Sequence, residues 1–221
     1  PFESLKLWLF TGSQHLYGPE VLAKVTAHAK TVAGYLNDSA GLSVSVEYRP
    51  VVTRTEEITR AFQEANNDVS CIGVIAWMHT FSPAKMWING LKIFQKPLLH
   101  LHTQYRETIP WDTIDMDYMN LNQSAHGDRE FGHICTRLKI RRKVVVGHWK
   151  DAQVHKEIDC WSRAAAGWMD WQEAKFVRFG DNMRQVAVTE GDKVSAEIKF
   201  GFSVNTHAVG DLVQQIDSIE G

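Results

Sequence analysis

The sequence predicts an α/β protein of the Rossmann- or flavodoxin-like, doubly wound kind, followed by a short, incomplete second α/β segment. Three observations carry this. Short apolar runs at residues 5–10, 71–77, 97–101 and 143–148 alternate with longer stretches whose apolar residues recur every three or four positions. The run 71–77 is apolar throughout, as a strand buried on both faces of a parallel sheet should be. Polar residues gather where the apolar runs stop, which is the edge at which open α/β sheets bind small molecules.

Taken in order, residues 5–10 form the first strand. Pro19 and Glu20 open a helix over 21–36, since Pro suits a first helical position and an early Glu suits the helix dipole. Val21, Leu22, Val25, Ala29, Val32, Ala33 and Leu36 are its apolar stripe. A second strand lies within 42–52, with Val44, Val46 and Tyr48 on one face. Thr55 is a candidate N-cap for a helix reaching about Asn66, with Ile58, Phe62 and Ala65 facing inward. After the strand 71–77, Ser82 and Pro83 read as a cap and first helical residue for a helix over 85–94. A short strand at 97–101 ends in His102-Thr103-Gln104. Residues 105–122 have no steady period and read as a long loop with a turn of helix, a length that is often functional. A helix over 123–140, a strand at 143–148 and a helix over 152–171 complete a first domain at 1–173.

From Ala174 the pattern restarts as a second, incomplete domain at 174–221. A strand at 175–180, a loop at 181–184 and a short apolar stretch at 185–188 precede a helix over 192–200, an extended segment at 202–209 and a helix over 211–219. So few residues bury little surface against their entropy cost.

The charge balance, 24 basic against 26 acidic residues, argues against a nucleic-acid partner, which would ask for a basic excess. The basic run 139–143 follows a helix and reads as dipole pairing on a solvated face. Eight Trp residues point to large buried faces or subunit contacts. Cys71, Cys135 and Cys160 are odd in number and widely spaced, so they indicate neither a disulfide framework nor a cysteine zinc site and suit a reducing cytoplasm. Residues 5–10 are too few to span a membrane and carry no signal-peptide pattern, so no membrane partner is expected.

The loop Gly12-Ser13-Gln14-His15-Leu16-Tyr17-Gly18 offers an amide, an imidazole and a phenol to hydroxyl groups and lacks a phosphate-binding glycine pattern. It resembles the N-terminal signature of the L-arabinose isomerase family. So do the stretches 77–88, 102–104, 115–117, 119–123 and 178–184, in order and nearly end to end. The resemblance implies an aldose–ketose isomerase that moves a proton between C1 and C2, taking L-arabinose to L-ribulose and extending to D-galactose and D-tagatose. It also implies Mn²⁺ held by two glutamates and two histidines, to which no residue of this sequence corresponds. It implies a cytoplasmic homo-oligomer in which one subunit closes over its neighbour's site. The positions matching that sugar-facing wall are Gln14, Leu16, Tyr17, Phe81, His126 and Met183. The other reading is a catalytically silent sugar-binding or assembly fragment of such an enzyme.

Two spacings suit a metal within this chain. His100 and His102 share one face of a strand end, and His126 and Glu130 share one face of a helix. Asp115 and Asp117 form a carboxylate pair whose first expectation is a loop held by Asp side chains accepting from backbone N–H groups.

Overall fold

A computed structural model describes residues 2–180, 183, 185–187 and 191–219. The chain forms two compact units, Pro1–Ala166 and Gly167–Gly221. In the first, strands β1 (Lys6–Thr11), β2 (Ser45–Tyr48), β3 (Cys71–Trp77), β4 (Leu98–His102) and β5 (Lys143–Val146) make one sheet. All its pairings are parallel, in the order β2-β1-β3-β4-β5. That is the flavodoxin-like order, so the doubly wound fold expected from the sequence is the one observed.

Both faces of the sheet are covered. Trp8, Phe10, Val74, Ala76 and Met78 pack against α2 (Thr55–Asn67), α3 (Ile88–Ile93) and α5 (Ser124–Arg137) through Phe62, Leu91 and Phe131. The alternate residues Leu7, Leu9 and Ile75 are also fully buried, on the opposite face, because side chains of a strand alternate. That face belongs to α1 (Gly18–Asp38) and α6 (Ala152–Glu173), which meet where Tyr35 packs edge-on to Trp149 and against His155. The division between the two units falls within α6.

Local ends depart from the sequence expectation for identifiable reasons. Helix α2 begins at Thr55 itself, after Arg54. The cap position is held by Arg54 with no side-chain cap bond, and the carboxylate of Glu57 reaches back to accept from the backbone N–H and hydroxyl of Thr53, which fixes the entry of the chain into the helix. Ser82 does not cap a helix either. Its Oγ accepts from Trp87 Nε1, and residues Ala84–Trp87 form a 3₁₀ turn leading into α3. Within the loop 105–122, Asp115 caps a short helix, α4 (Met116–Leu121), by accepting from the Tyr118 N–H. The expected structural role of that carboxylate is therefore the observed one.

The second unit holds β6 (Lys175–Phe179) paired in parallel with β7 (Ser203–His207), and the helices α7 (Lys193–Phe200) and α8 (Val209–Asp217). Asp192 caps α7 by accepting from the Ser195 N–H. Trp171, Phe176 and Phe202 make its aromatic centre, with edge-to-face contacts of 4.8 and 4.9 Å. Of the residues read as a loop and a short apolar stretch, Asp181, Asn182, Arg184 and Val188 lie outside the described residues.

Gly12 ends β1 where nothing larger fits. A methyl group there would meet Ser82 Cβ and Oγ and Trp87 Cζ2, all at 2.8 Å. Gly12→Ala is expected to destabilise the protein by about 1–3 kcal/mol through overpacking. Gly34→Ala on α1, where the added methyl meets nothing within 4 Å, should instead stabilise by about 0.5–1 kcal/mol. Urea midpoints of the two variants check both signs.

Candidate functional site

The carboxyl edge of the sheet is built around three polar groupings. At the switch point between β1 and β3 the chain ties itself together. Gly12 N–H donates to the Trp77 carbonyl at 2.8 Å, and the buried hydroxyls of Ser13 and Thr80 share a hydrogen bond of 2.8 Å. The crevice that commonly receives a ligand in this fold is thus filled by its own side chains.

Beside it, His79 continues from β3 and meets His28 of α1. Their ring nitrogens lie 2.8 Å apart, and Tyr105 stacks on His28 with 3.5 Å between centroids. Trp77 covers the other side of His79 at 4.3 Å. Burial holds both imidazoles neutral. It lowers His79 to about 3 and His28 to about 4, the latter with help from the charges of Arg106 and Lys24.

The third grouping spans β4 and α5. His102 Nε2 lies 2.9 Å from His100 Nδ1, and His100 Nε2 lies 2.9 Å from Asp128 Oδ1. His100 is fully buried and Asp128 nearly so. Burial is the first cause of each shift: it pushes the Asp128 carboxyl up to about 8 and His100 down to about 2. The Met78 backbone N–H, bonded to the Asp128 carboxylate, works the other way. Helix α5 can come this close because Gly127 faces the sheet: a Cβ there would stand 2.8 Å from Met78 Cβ. The chain of three ends at a cavity of about 560 Å³ lined by His102, Asp128, Tyr118, Asn122, Val146 and His148, among others.

Five of the six residues expected to face a sugar stand along this edge. Phe81 follows β3, and the exposed His126 ring of α5 stacks on it at 4.4 Å. Leu16 and Tyr17 line a second hollow of about 470 Å³ that Asp117, Asn120 and Leu121 close from α4. Leu16 is 84% exposed. Gln14 is half-buried at the turn that follows β1 and lines neither hollow. Met183 belongs to the second unit and is exposed.

Of the metal-suited spacings, His126 and Glu130 turn to different partners. The ring packs on Phe81, whereas the carboxylate accepts from the Ala84 N–H at 2.7 Å. They form no ligand pair. Among the described residues the group with metal-ligand spacing is His100, His102 and Asp128, whose donor atoms lie within 4.8 Å of one another. It does not suit Mn²⁺. His100 already spends one nitrogen on His102 and the other on Asp128, so an ion would have to break those hydrogen bonds to enter. The set also lacks the glutamates that the resemblance implies. Strand spacing puts the two histidines on one face but gives no sign of Asp128 or His28. Their partners lie 28 and 51 residues away, and only the approach of α5 to β4 and of α1 to β3 reveals them.

A family model described as the L-arabinose isomerase N-terminal domain matches residues 1–173, and one described as the central domain matches 175–221. The chain belongs to the L-arabinose isomerase family. A protein named L-arabinose isomerase from Koribacter versatilis is 58% identical over 214 residues, covering 97% of this chain and 43% of that protein. One from Herpetosiphon aurantiacus is 56% identical over the same length, again with 97% and 43% covered. One from Klebsiella pneumoniae is 56% identical over 218 residues, covering 99% of this chain and 44% of the relative. This member of the family therefore spans less than half the length of the relatives it matches.

The neutral His28–His79 pair gives this edge a pH signature. An unfolded chain takes up these protons first, near pH 6.5, so their contribution is fully present above that value. It is lost as the pH falls through the folded values of about 4 and 3. The urea midpoint is expected to drop between pH 6.5 and 4, and to drop less steeply in His28→Gln. Equal slopes in the two proteins would show that the pair does not titrate on unfolding.

Proposed function

We propose that this chain is the N-terminal part of an aldose–ketose isomerase that interconverts L-arabinose and L-ribulose, with D-galactose and D-tagatose as a second pair. The observation that carries the reading is its similarity, along 97–99% of its length, to proteins named L-arabinose isomerase. The reaction moves a proton between C1 and C2 of an open-chain sugar and needs the sugar oxygens held while charge develops. A Mn²⁺ ion would supply that holding when bound, from glutamate and histidine ligands that His100, His102 and Asp128 do not replace.

In this reading the chain's own residues bind and orient the sugar. The Gln14 amide donates to and accepts from hydroxyls. Leu16, Tyr17 and Phe81 present apolar surface to the C–H side, and the exposed Met183 of the second unit is the remaining apolar position of the resemblance. His126, backed by Phe81, reaches a hydroxyl from the first turn of α5. A homo-oligomer in the cytoplasm follows from the same reading. Among the described residues no helix is long and apolar enough to cross a membrane.

The second reading, a sugar-binding or assembly fragment without turnover, is favoured by one observation. The carboxylate-containing ligand group found among the described residues is already satisfied internally. Titration of the 221-residue chain with L-arabinose by saturation-transfer NMR, with ketose formation measured with and without Mn²⁺, separates the two. Gln14→Ala and His126→Ala are each expected to weaken sugar binding about tenfold, the worth of one lost polar contact. Unchanged binding in both variants would remove the proposed wall. Binding without ketose at any Mn²⁺ concentration selects the second reading.

A further inference from the structure

Beyond the sugar-facing wall stands the 560 Å³ cavity at the carboxyl ends of β4 and β5. None of Gln14, Leu16, Tyr17, Phe81, His126 or Met183 lines it, so the role of this cavity is independent of their assignment. We propose that Asp128, His100 and His102 form a proton chain whose open end, His102 Nδ1, serves a neutral, hydroxyl-bearing ligand of polyol type in this cavity.

The geometry gives the chain two states that differ by one proton. In one, Asp128 is a carboxylate that accepts from His100 Nε2–H. His100 Nδ1 accepts from His102 Nε2–H, and His102 Nδ1 is an acceptor. A proton added at His102 Nδ1 releases the Nε2 proton to His100 Nδ1, which releases its own Nε2 proton to Asp128 Oδ1. The second state then has a neutral carboxyl, two neutral imidazoles and a donor at His102 Nδ1. Neither of the two states holds an imidazolium in the buried interior. That matters because burial opposes charge on both rings. The charged or titratable groups around the chain are Arg142, which acts on both imidazoles, and Arg106, Glu107, Tyr118 and His148 on the cavity wall.

The ligand class follows from the wall. His102 spends Nε2 on His100, which leaves Nδ1 as the ring's remaining polar atom, and His102 lines the cavity. A group that can be donor or acceptor is matched by a hydroxyl, which can be either, and less well by a carboxylate or phosphate, which only accepts. Ile109, Ile114, Met119 and Val146 offer apolar faces to C–H groups, while Asn122 and Ser124 offer further polar partners. Arg106 and Glu107 bring opposite charges to the same wall, and Asp128, which lines it too, adds a carboxylate that disfavours an anionic occupant.

The test labels the histidine nitrogens of the 221-residue chain with ¹⁵N and follows them by long-range ¹H–¹⁵N correlation during titration with xylitol, then with inorganic phosphate. A saturable shift of His102 Nδ1 with xylitol and none with phosphate is expected, on both sides of the chain's titration. Val146→Trp places a large ring into the cavity from an edge strand where Val146 is 70% exposed, so the fold should survive. It should abolish the shift. Asp128→Asn removes the proton store and should weaken xylitol about tenfold. Gln14→Ala and His126→Ala should leave it unchanged, which separates failure here from failure of the sugar wall. No saturable shift, a shift that persists in folded Val146→Trp, or a response to phosphate in place of xylitol would overturn the proposal.

Discussion

Burying a parallel sheet on both faces leaves its polar side chains one way out. In the central strands β1, β3 and β4 the backbone is paired on both sides and the side chains are buried beneath helices on both faces. Most of the imidazoles and hydroxyls at this edge are carried where strands stop, and His100, inside β4, is buried with Asp128 as its partner. β1 stops at Gly12-Ser13, β3 at Met78-His79-Thr80, and β4 at His102-Thr103. The hydrogen bonds that join these ends, Ser13 to Thr80, His79 to His28 and His100 to Asp128, set the shape of the whole carboxyl edge.

These contacts also set its chemistry. A buried polar group without a partner costs about 1–3 kcal/mol. The two histidine groupings avoid most of that cost by pairing ring to ring or ring to carboxyl, with burial keeping the imidazoles neutral. They differ in access. The His28–His79 pair is roofed by Tyr105 and walled by Trp77, and its inner nitrogen, His79 Nδ1, meets no partner. The His100–His102 pair continues to a cavity wall. The first is a packed element of the interior, whereas the second stands against a hollow that both His102 and Asp128 line. Cys71 and Cys135 make the same point about burial, since it raises both thiols to about 11 and leaves them unreactive.

The loops divide the edge into separate stations. Tyr118 on α4 faces the larger cavity, whereas Asp117 and Asn120 face the hollow of Leu16 and Tyr17. A six-residue helix capped by Asp115 thus forms part of both walls. Phe81 and His126 stand between β3 and α5 as a stacked pair. The 105–122 segment, which lacks any regular period, therefore contributes surface to two hollows. That is where a long irregular connection earns its length.

The sequence by itself determined the fold class, the strand and helix order and the family. Those depend on local periodicity and on motifs read in line: the uninterrupted 71–77 run, the α1 stripe from Val25 to Leu36, and the loop from Gly12 to Gly18. It also placed His100 beside His102, because a strand repeats every two residues. Only the tertiary structure decided the partners across elements. Arg54 took the cap position expected of Thr55 while Glu57 reached back to Thr53, Glu130 went to Ala84 rather than to a metal with His126, and Asp128 closed a chain that starts on β4. Hydrogen-bond partners of this kind are chosen by which helix packs over which strand end, and by whether a Gly lets it approach. No spacing along the chain carries that information.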